Sequence, residues 1–247
     1  MSLVDIHTHI DYYNNYEKVY NEYNKLNIYT LFVTNLPEIY EKCLDTFSDS
    51  KYIRISLGYN PQMVKEQKFN RELFEKYLMT TKYIGEVGLD FSKQFVDYKN
   101  KQINILKYIC NCISKNQKII SVHSRKSERN VLDILETNNI KFAIFHWYSG
   151  TIPVINRIIE NGYYFSVNYS MLNNEKGRKI LNEIPLNKLF IESDGPFTEY
   201  RKNIFYPKNL KKVYNEFENY YGVNDLKNII ISNLNSLLNK YNSFIKS

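Results

Sequence analysis

The chain has 247 residues, 43% of them hydrophobic and 24% charged, with a formal net charge of +7. That balance excludes wholesale disorder and supports a sizeable core. No apolar run approaches the roughly 18–20 residues of a membrane helix, and the first motif begins too close to Met1 to leave room for a signal peptide, so a cytoplasmic protein without membrane contact is expected. The surplus of Lys and Arg suits a polyanionic partner through counterion release, although the same surplus also fits a plain compositional bias toward Lys, Asn and Tyr.

Short β-rich runs alternate with longer helical patterns along the whole chain. The first expected strand, residues 3–9, carries Val4-Asp5-Ile6-His7-Thr8-His9. Its two histidines are two positions apart, so in a strand they point to one face. By itself such a pair fits either a metal site or a polar strand end. Strands at 29–35 and 52–59 follow, the latter running into Asn60-Pro61. The fourth, 83–90, reads Ile84-Gly85-Glu86-Val87-Gly88-Leu89-Asp90 and places an acid between two glycines. Residues 97–115 then repeat Ile103, Leu106, Ile109, Cys110 and Ile113 at three- and four-residue steps, a helical period. The fifth strand, 118–123, ends at His123 and continues into Ser124-Arg125-Lys126. The sixth, 142–146, ends at His146 and continues into Trp147-Tyr148. A seventh, 163–168, and an eighth, 189–194, complete the set, the last ending Phe190-Ile191-Glu192-Ser193-Asp194-Gly195-Pro196. Residues 209–245 read as two helices broken around 222–224. Cys43, Cys110 and Cys112 form no C-x-x-C pair and are expected to be reduced, structural thiols.

Eight strand–helix units in about 250 residues are what a closed α/β barrel needs, and no G-x-G-x-x-G follows the first strand as an open dinucleotide-binding sheet would require. The expectation is a (β/α)8 TIM barrel of the metal-dependent hydrolase type, a single domain over residues 1–247. In such a barrel the C-terminal strand ends share one rim, so His7, His9, Glu86, His123, His146 and Asp194 converge there, using all four histidines of the chain. Structural ion pairing is the plain alternative for the two acids. Four imidazoles, two carboxylates and no thiolate suit Zn, Mn, Mg or Fe, and six groups are too many for one tetrahedral ion that keeps an open position. Two divalent metal ions are therefore expected. Glu86 is the candidate bridge between them, in a geometry that supports in-line attack on phosphorus. Arg125 and Ser124, directly after His123, are candidates for holding a phosphate, against the reading of an ordinary solvated helix start. Trp147 and Tyr148 are candidates for base stacking, with core packing the alternative. Asp90 is placed to orient a metal-binding side chain.

D-I-H-T-H, G-E-V-G-L-D, V-H-S-R, F-H-W-Y-S-G and E-S-D-G-P-F resemble, in order and spacing, the signature blocks of TatD-family metal-dependent DNases over nearly the whole chain. The resemblance implies a DNA phosphodiesterase in which His7, His9, Glu86 and Asp194 surround one metal and Glu86, His123 and His146 the other. It also implies that Asp194 takes a proton from the attacking water. Where many relatives carry a histidine before the proline of strand three, this chain has Asn60, so Asn60 becomes a candidate for substrate contact. Several blocks, among them Leu57-Gly58-Tyr59-Asn60-Pro61-Gln62 and His146-Trp147-Tyr148-Ser149-Gly150, are similar to the TatD-like subunit of the Qat anti-phage defence system. That likeness implies work beside an ATPase, a QueC-like enzyme and a further subunit. The compact stretch after Asp194 implies that residues 200–203 stand for the family's substrate-side segment. Two rival readings remain open at this point: an amidohydrolase-type deaminase or amide hydrolase on the same barrel, which Glu86 in strand four disfavours, and a slow-turnover scaffold or sensor subunit.

Overall fold

The computed structural model describes residues 2–246. Met1 and Ser247, the ends of the expected domain, lie outside the described residues. Eight parallel strands form where the β-rich runs stand: β1 (Val4–Thr8), β2 (Tyr29–Val33), β3 (Ile53–Ser56), β4 (Tyr83–Gly88), β5 (Ile119–His123), β6 (Phe142–His146), β7 (Tyr164–Val167) and β8 (Leu189–Ile191). Most are buried along nearly their whole length, as strands are when helices cover the outside of a parallel sheet and side chains fill the inside.

Regular pairing runs β1-β2-β3 and β4-β5-β6-β7-β8. The two arcs meet at a parallel bridge between Leu57 and Ile84, where the Gly85 N–H donates to the Leu57 carbonyl at 2.9 Å. The ring closes between β8 and β1. There the Asp194 N–H donates to the His7 carbonyl at 2.9 Å and the His9 N–H to the Gly195 carbonyl at 2.8 Å. Asp5 reinforces this seam, accepting the Ser193 N–H at 2.7 Å and the Tyr23 hydroxyl at 2.6 Å. The result is the expected (β/α)8 barrel.

Helices α1 (Tyr16–Lys25), α2 (Pro37–Thr46), α3 (Arg71–Leu78), α4 (Lys99–Ser114), α5 (Glu128–Thr137), α6 (Ile152–Glu160), α7 (Tyr169–Leu172), α8 (Glu175–Glu183), α9 (Leu210–Tyr221) and α10 (Leu226–Lys246) accompany the strands. In α4 the buried stripe is Ile105, Leu106, Ile109, Cys110 and Ile113. Each such side chain contributes about 1.5–3 kcal/mol by leaving water.

Two strands are irregular where the argument needs them. The register of β1 against β2 slips between Asp5 and Thr8, and that of β4 against β5 slips between Ile84 and Val87. Bulges of this kind bend a strand and re-aim its side chains. They flank His7 in β1 and contain Glu86 in β4. Gly88 closes the second irregularity at φ +146°, and a Cβ there would stand 2.0 Å from the His123 carbonyl oxygen. Only glycine lets β4 and β5 approach this closely.

One stretch departs from strict strand–helix alternation. Between β8 and α9 lies a hairpin, β9 (Glu199–Tyr200) and β10 (Asn203–Ile204), with Arg201 and Lys202 both in the left-handed region at its tip. Paired positive φ values match the two-residue turn that suits strand twist. Arg201 reaches back to Glu216 of α9 at 3.1 Å, and Tyr200 packs on Tyr169 with ring centroids 4.9 Å apart. The hairpin thus docks on the helical layer.

Candidate metal centre

A cavity of about 430 Å³ opens at the C-terminal rim, lined by residues that include His9, Asn60, Glu86, His123, His146 and Asp194. His7 lies beneath it, its ring stacked on that of His146 with centroids 3.8 Å apart. The Nε2 atoms of His7 and His9 face each other at 3.2 Å, and Asp194 Oδ1 lies 3.8 Å from the first and 3.5 Å from the second. Glu86 sits across from them, 2% exposed, with its carboxylate shared between two directions. Its Oε2 is 3.4 Å from His9 Nε2, whereas its Oε1 is 2.6 Å from His123 Nδ1 and 3.3 Å from His146 Nε2.

Each donor is held from behind. Ser121 Oγ meets His7 Nδ1 at 2.8 Å, and the Asn35 amide meets His9 Nδ1 at 3.2 Å. Asp90 Oδ2 lies 3.1 Å from His123 Nε2 and is itself fixed by the Gln62 amide at 2.8 Å. Asn60 donates to Glu86 Oε2 at 2.6 Å while its carbonyl accepts the Gln62 N–H at 2.8 Å, so both ends of this side chain are engaged. Glu192 was not singled out by sequence reasoning, yet it is fully buried and stands 3.1 Å from His146 Nδ1. Ser166 donates to its Oε2, and Asn168 to its Oε1 at 3.0 Å. The available signal was the spacing Glu192-Ser193-Asp194, two acids at one strand end, of which only the second carries the family motif.

The electrostatics follow from crowding these groups away from water. Burial depresses the His7 pKa well below the usual imidazole value, leaving a neutral ring with a free lone pair. Burial also opposes protonation of His123, but Glu86 and Asp90 outweigh it and lift that imidazole to about 9. Burial pushes the Asp194 carboxyl up to about 7, against the lowering pull of His146 and His9. Protons are a poor solution here, because one proton between the two facing Nε2 atoms leaves Asp194 and Glu86 only partly compensated. A divalent cation satisfies several lone pairs at once, so the donor set fits metal. Ligand atoms of His7, His9 and Asp194 lie within 4.8 Å of one another, as do those of Glu86, His123 and His146. A third such group, His7, His146 and Glu192, also meets this distance. Glu192 is already engaged by His146, Ser166 and Asn168, and its place is to orient His146.

Around this centre, Ser124, Arg125 and Trp147 line the cavity. The Arg125 side chain is exposed, and Trp147 is 36% exposed. Tyr148 points the other way. It is buried, donates its hydroxyl to the Thr151 carbonyl at 2.7 Å, and packs on Phe165, so core packing is its role. None of residues 199–204 lines the cavity.

The model of the family described as TatD related DNase matches residues 4–239. Deoxyribonuclease TATDN3 of Homo sapiens is 24% identical over 215 residues, 79% of this chain and 78% of that protein. An uncharacterized metal-dependent hydrolase of Methanocaldococcus jannaschii is 29% identical over 188 residues, 73% of this chain and 74% of its own. Among solved structures, the TatD homologue YJJV of Escherichia coli K12 superposes with a TM-score of 0.83 at 16% identity, covering 95% of this chain and 97% of that one, which shows the shared fold. With a match running nearly end to end, the chain belongs to the TatD related DNase family of metal-dependent hydrolases.

Proposed function

We propose that this protein hydrolyses phosphodiester bonds of DNA with two divalent ions, Zn, Mn, Mg or Fe, acting as one barrel domain. The division of the Glu86 carboxylate carries this reading: one oxygen faces His9, the other His123 and His146. A carboxylate so divided is suited to sit between two cations, with His7, His9 and Asp194 on one side and His123 and His146 on the other. When bound, such ions supply Lewis acidity to the phosphoryl oxygens. Asp194 faces the cavity and is the group assigned to accept the proton of the attacking water. Arg125 and Ser124 hold the phosphate, Trp147 stacks on a base, Asn60 fixes the Glu86 carboxylate beside the substrate, and Asp90 steadies His123. After chelation the purified protein is expected to cleave neither labelled DNA nor an aryl phosphodiester, and to regain cleavage with at least one of the four metals. No turnover with any of them would overturn the proposal.

The finer reading is that this is the TatD-like subunit of a Qat anti-phage defence system, working in the cytoplasm beside an ATPase, a QueC-like enzyme and a further subunit. Motif likeness supports it, and among the described residues no helix is long and apolar enough to cross a membrane. In cells carrying the complete system, His123→Ala and Asp194→Asn are each expected to abolish protection, read as plaque counts after phage challenge. Protection kept by both variants would remove catalysis as the contribution of this chain.

A further inference from the structure

Four aromatic side chains are prominently exposed among the described residues, Tyr12 (43%), Trp147 (36%), Phe197 (53%) and Phe244 (43%). Three of the four, Tyr12, Trp147 and Phe197, line the one cavity that holds the candidate metal centre. Leaving large apolar rings in water is unfavourable, so their concentration at the donor cluster calls for a ligand with a flat apolar face. Trp147 already has a place in the reading above. Tyr12 and Phe197 form a separate wall. Their ring centroids are 4.8 Å apart, and both rings contact His9, Tyr12 at 5.9 Å and Phe197 at 5.1 Å. The backbone fixes both. Tyr12 ends a short 3-10 turn that follows His9 directly, and the Phe197 N–H donates to the Asp194 carbonyl at 2.9 Å. Each ring is therefore carried by a turn anchored on a donor of the centre.

We propose that Tyr12 and Phe197 form a stacking face for an unpaired nucleobase adjacent to the phosphate held at the centre, and that this face makes the site prefer single-stranded over paired DNA. The inference rests on the nuclease reading. A group held by His9 and Asp194 places its neighbouring nucleoside against this wall, and a nucleobase is the flat apolar surface that DNA offers there. In a duplex the base faces are covered by their neighbours, so only an unstacked base can lie on the two rings. No acid or base is involved, which makes these specificity residues.

The test compares kcat/KM for oligothymidylate with that for a strand of equal length built from abasic tetrahydrofuran units. In the double variant Tyr12→Ala, Phe197→Ala the ratio of the two is expected to fall about 10- to 100-fold. The ring-preserving exchange Tyr12→Phe, Phe197→Tyr is expected to keep it. Both sites are exposed, so neither change removes core. An unchanged ratio in an active double-alanine variant would overturn the inference alone, as would equal loss in the ring-preserving exchange. Failure of the unaltered protein to cleave either strand would overturn the nuclease reading and this inference with it.

Discussion

Glu86→Gln is expected to lower phosphodiester hydrolysis by about 10³-fold or more, the scale on which removal of a central electrostatic element acts. The substitution keeps the shape of the side chain and one carbonyl oxygen, which can still accept from Asn60, the donor 2.6 Å from Oε2. It removes the negative charge that faces His9 on one side and His123 and His146 on the other. An amide cannot serve two cations as a carboxylate can. Metal analysis of the variant should therefore find fewer bound ions than in the unaltered protein, in parallel with the lost rate. Two ions per chain together with a rate within tenfold of the original would refute the bridging role. A circular-dichroism melt separates this outcome from simple unfolding.

Glu192 makes the second large effect, and it acts through His146. Its carboxylate is fully buried and lies 3.1 Å from His146 Nδ1, with Ser166 and Asn168 as its other partners. Glu192→Ala leaves His146, Ser166 and Asn168 facing a void, and breaking a buried pair from one side costs about 3–5 kcal/mol. The expected result is a clear fall in the urea midpoint. Glu192→Gln keeps acceptors and donors in place but withdraws the charge that makes His146 a strong donor. There the fold is expected to survive while metal affinity drops about 10- to 100-fold, the usual cost of losing such a partner. Titration with a competing chelator measures it. Unaltered affinity in the Gln variant would reduce Glu192 to a packing element.

The strand ends show how far a sequence argument reaches. His123 and His146 were legible because each closes a run of β-forming residues, and parallel strands of a barrel bring their C-terminal ends together. Asp90 was legible as a partner of a metal-binding side chain, and it meets His123 at 3.1 Å. Trp147 and Tyr148 were not separable in the sequence, since adjacent aromatics at a strand end differ only in which way the turn throws them. Trp147 adopts φ +37° and lines the cavity, while Tyr148 enters the core. The hairpin at 199–204 was read as a compact segment on the substrate side. Its docking on α9 depends on the Arg201–Glu216 contact across fifteen residues, which no local pattern announces.

The sequence by itself determined the barrel and the donor set, because both follow from local facts: alternating periods of strand and helix, and residue types at strand ends. The aim of those donors was decided only in the tertiary structure. Strict alternation predicts side-chain direction for a regular strand, yet β1 slips register between Asp5 and Thr8, and β4 between Ile84 and Val87. Those slips are set by neighbouring strands: the Glu86 N–H is held by the Thr34 carbonyl at 3.1 Å and the Gly85 carbonyl by the Ser56 hydroxyl at 2.6 Å. Bulges of this sort come from long-range hydrogen bonds, which a linear pattern does not encode. For the same reason the sequence supplies Glu86, and the folded barrel alone divides its two oxygens between His9 and the pair His123 and His146.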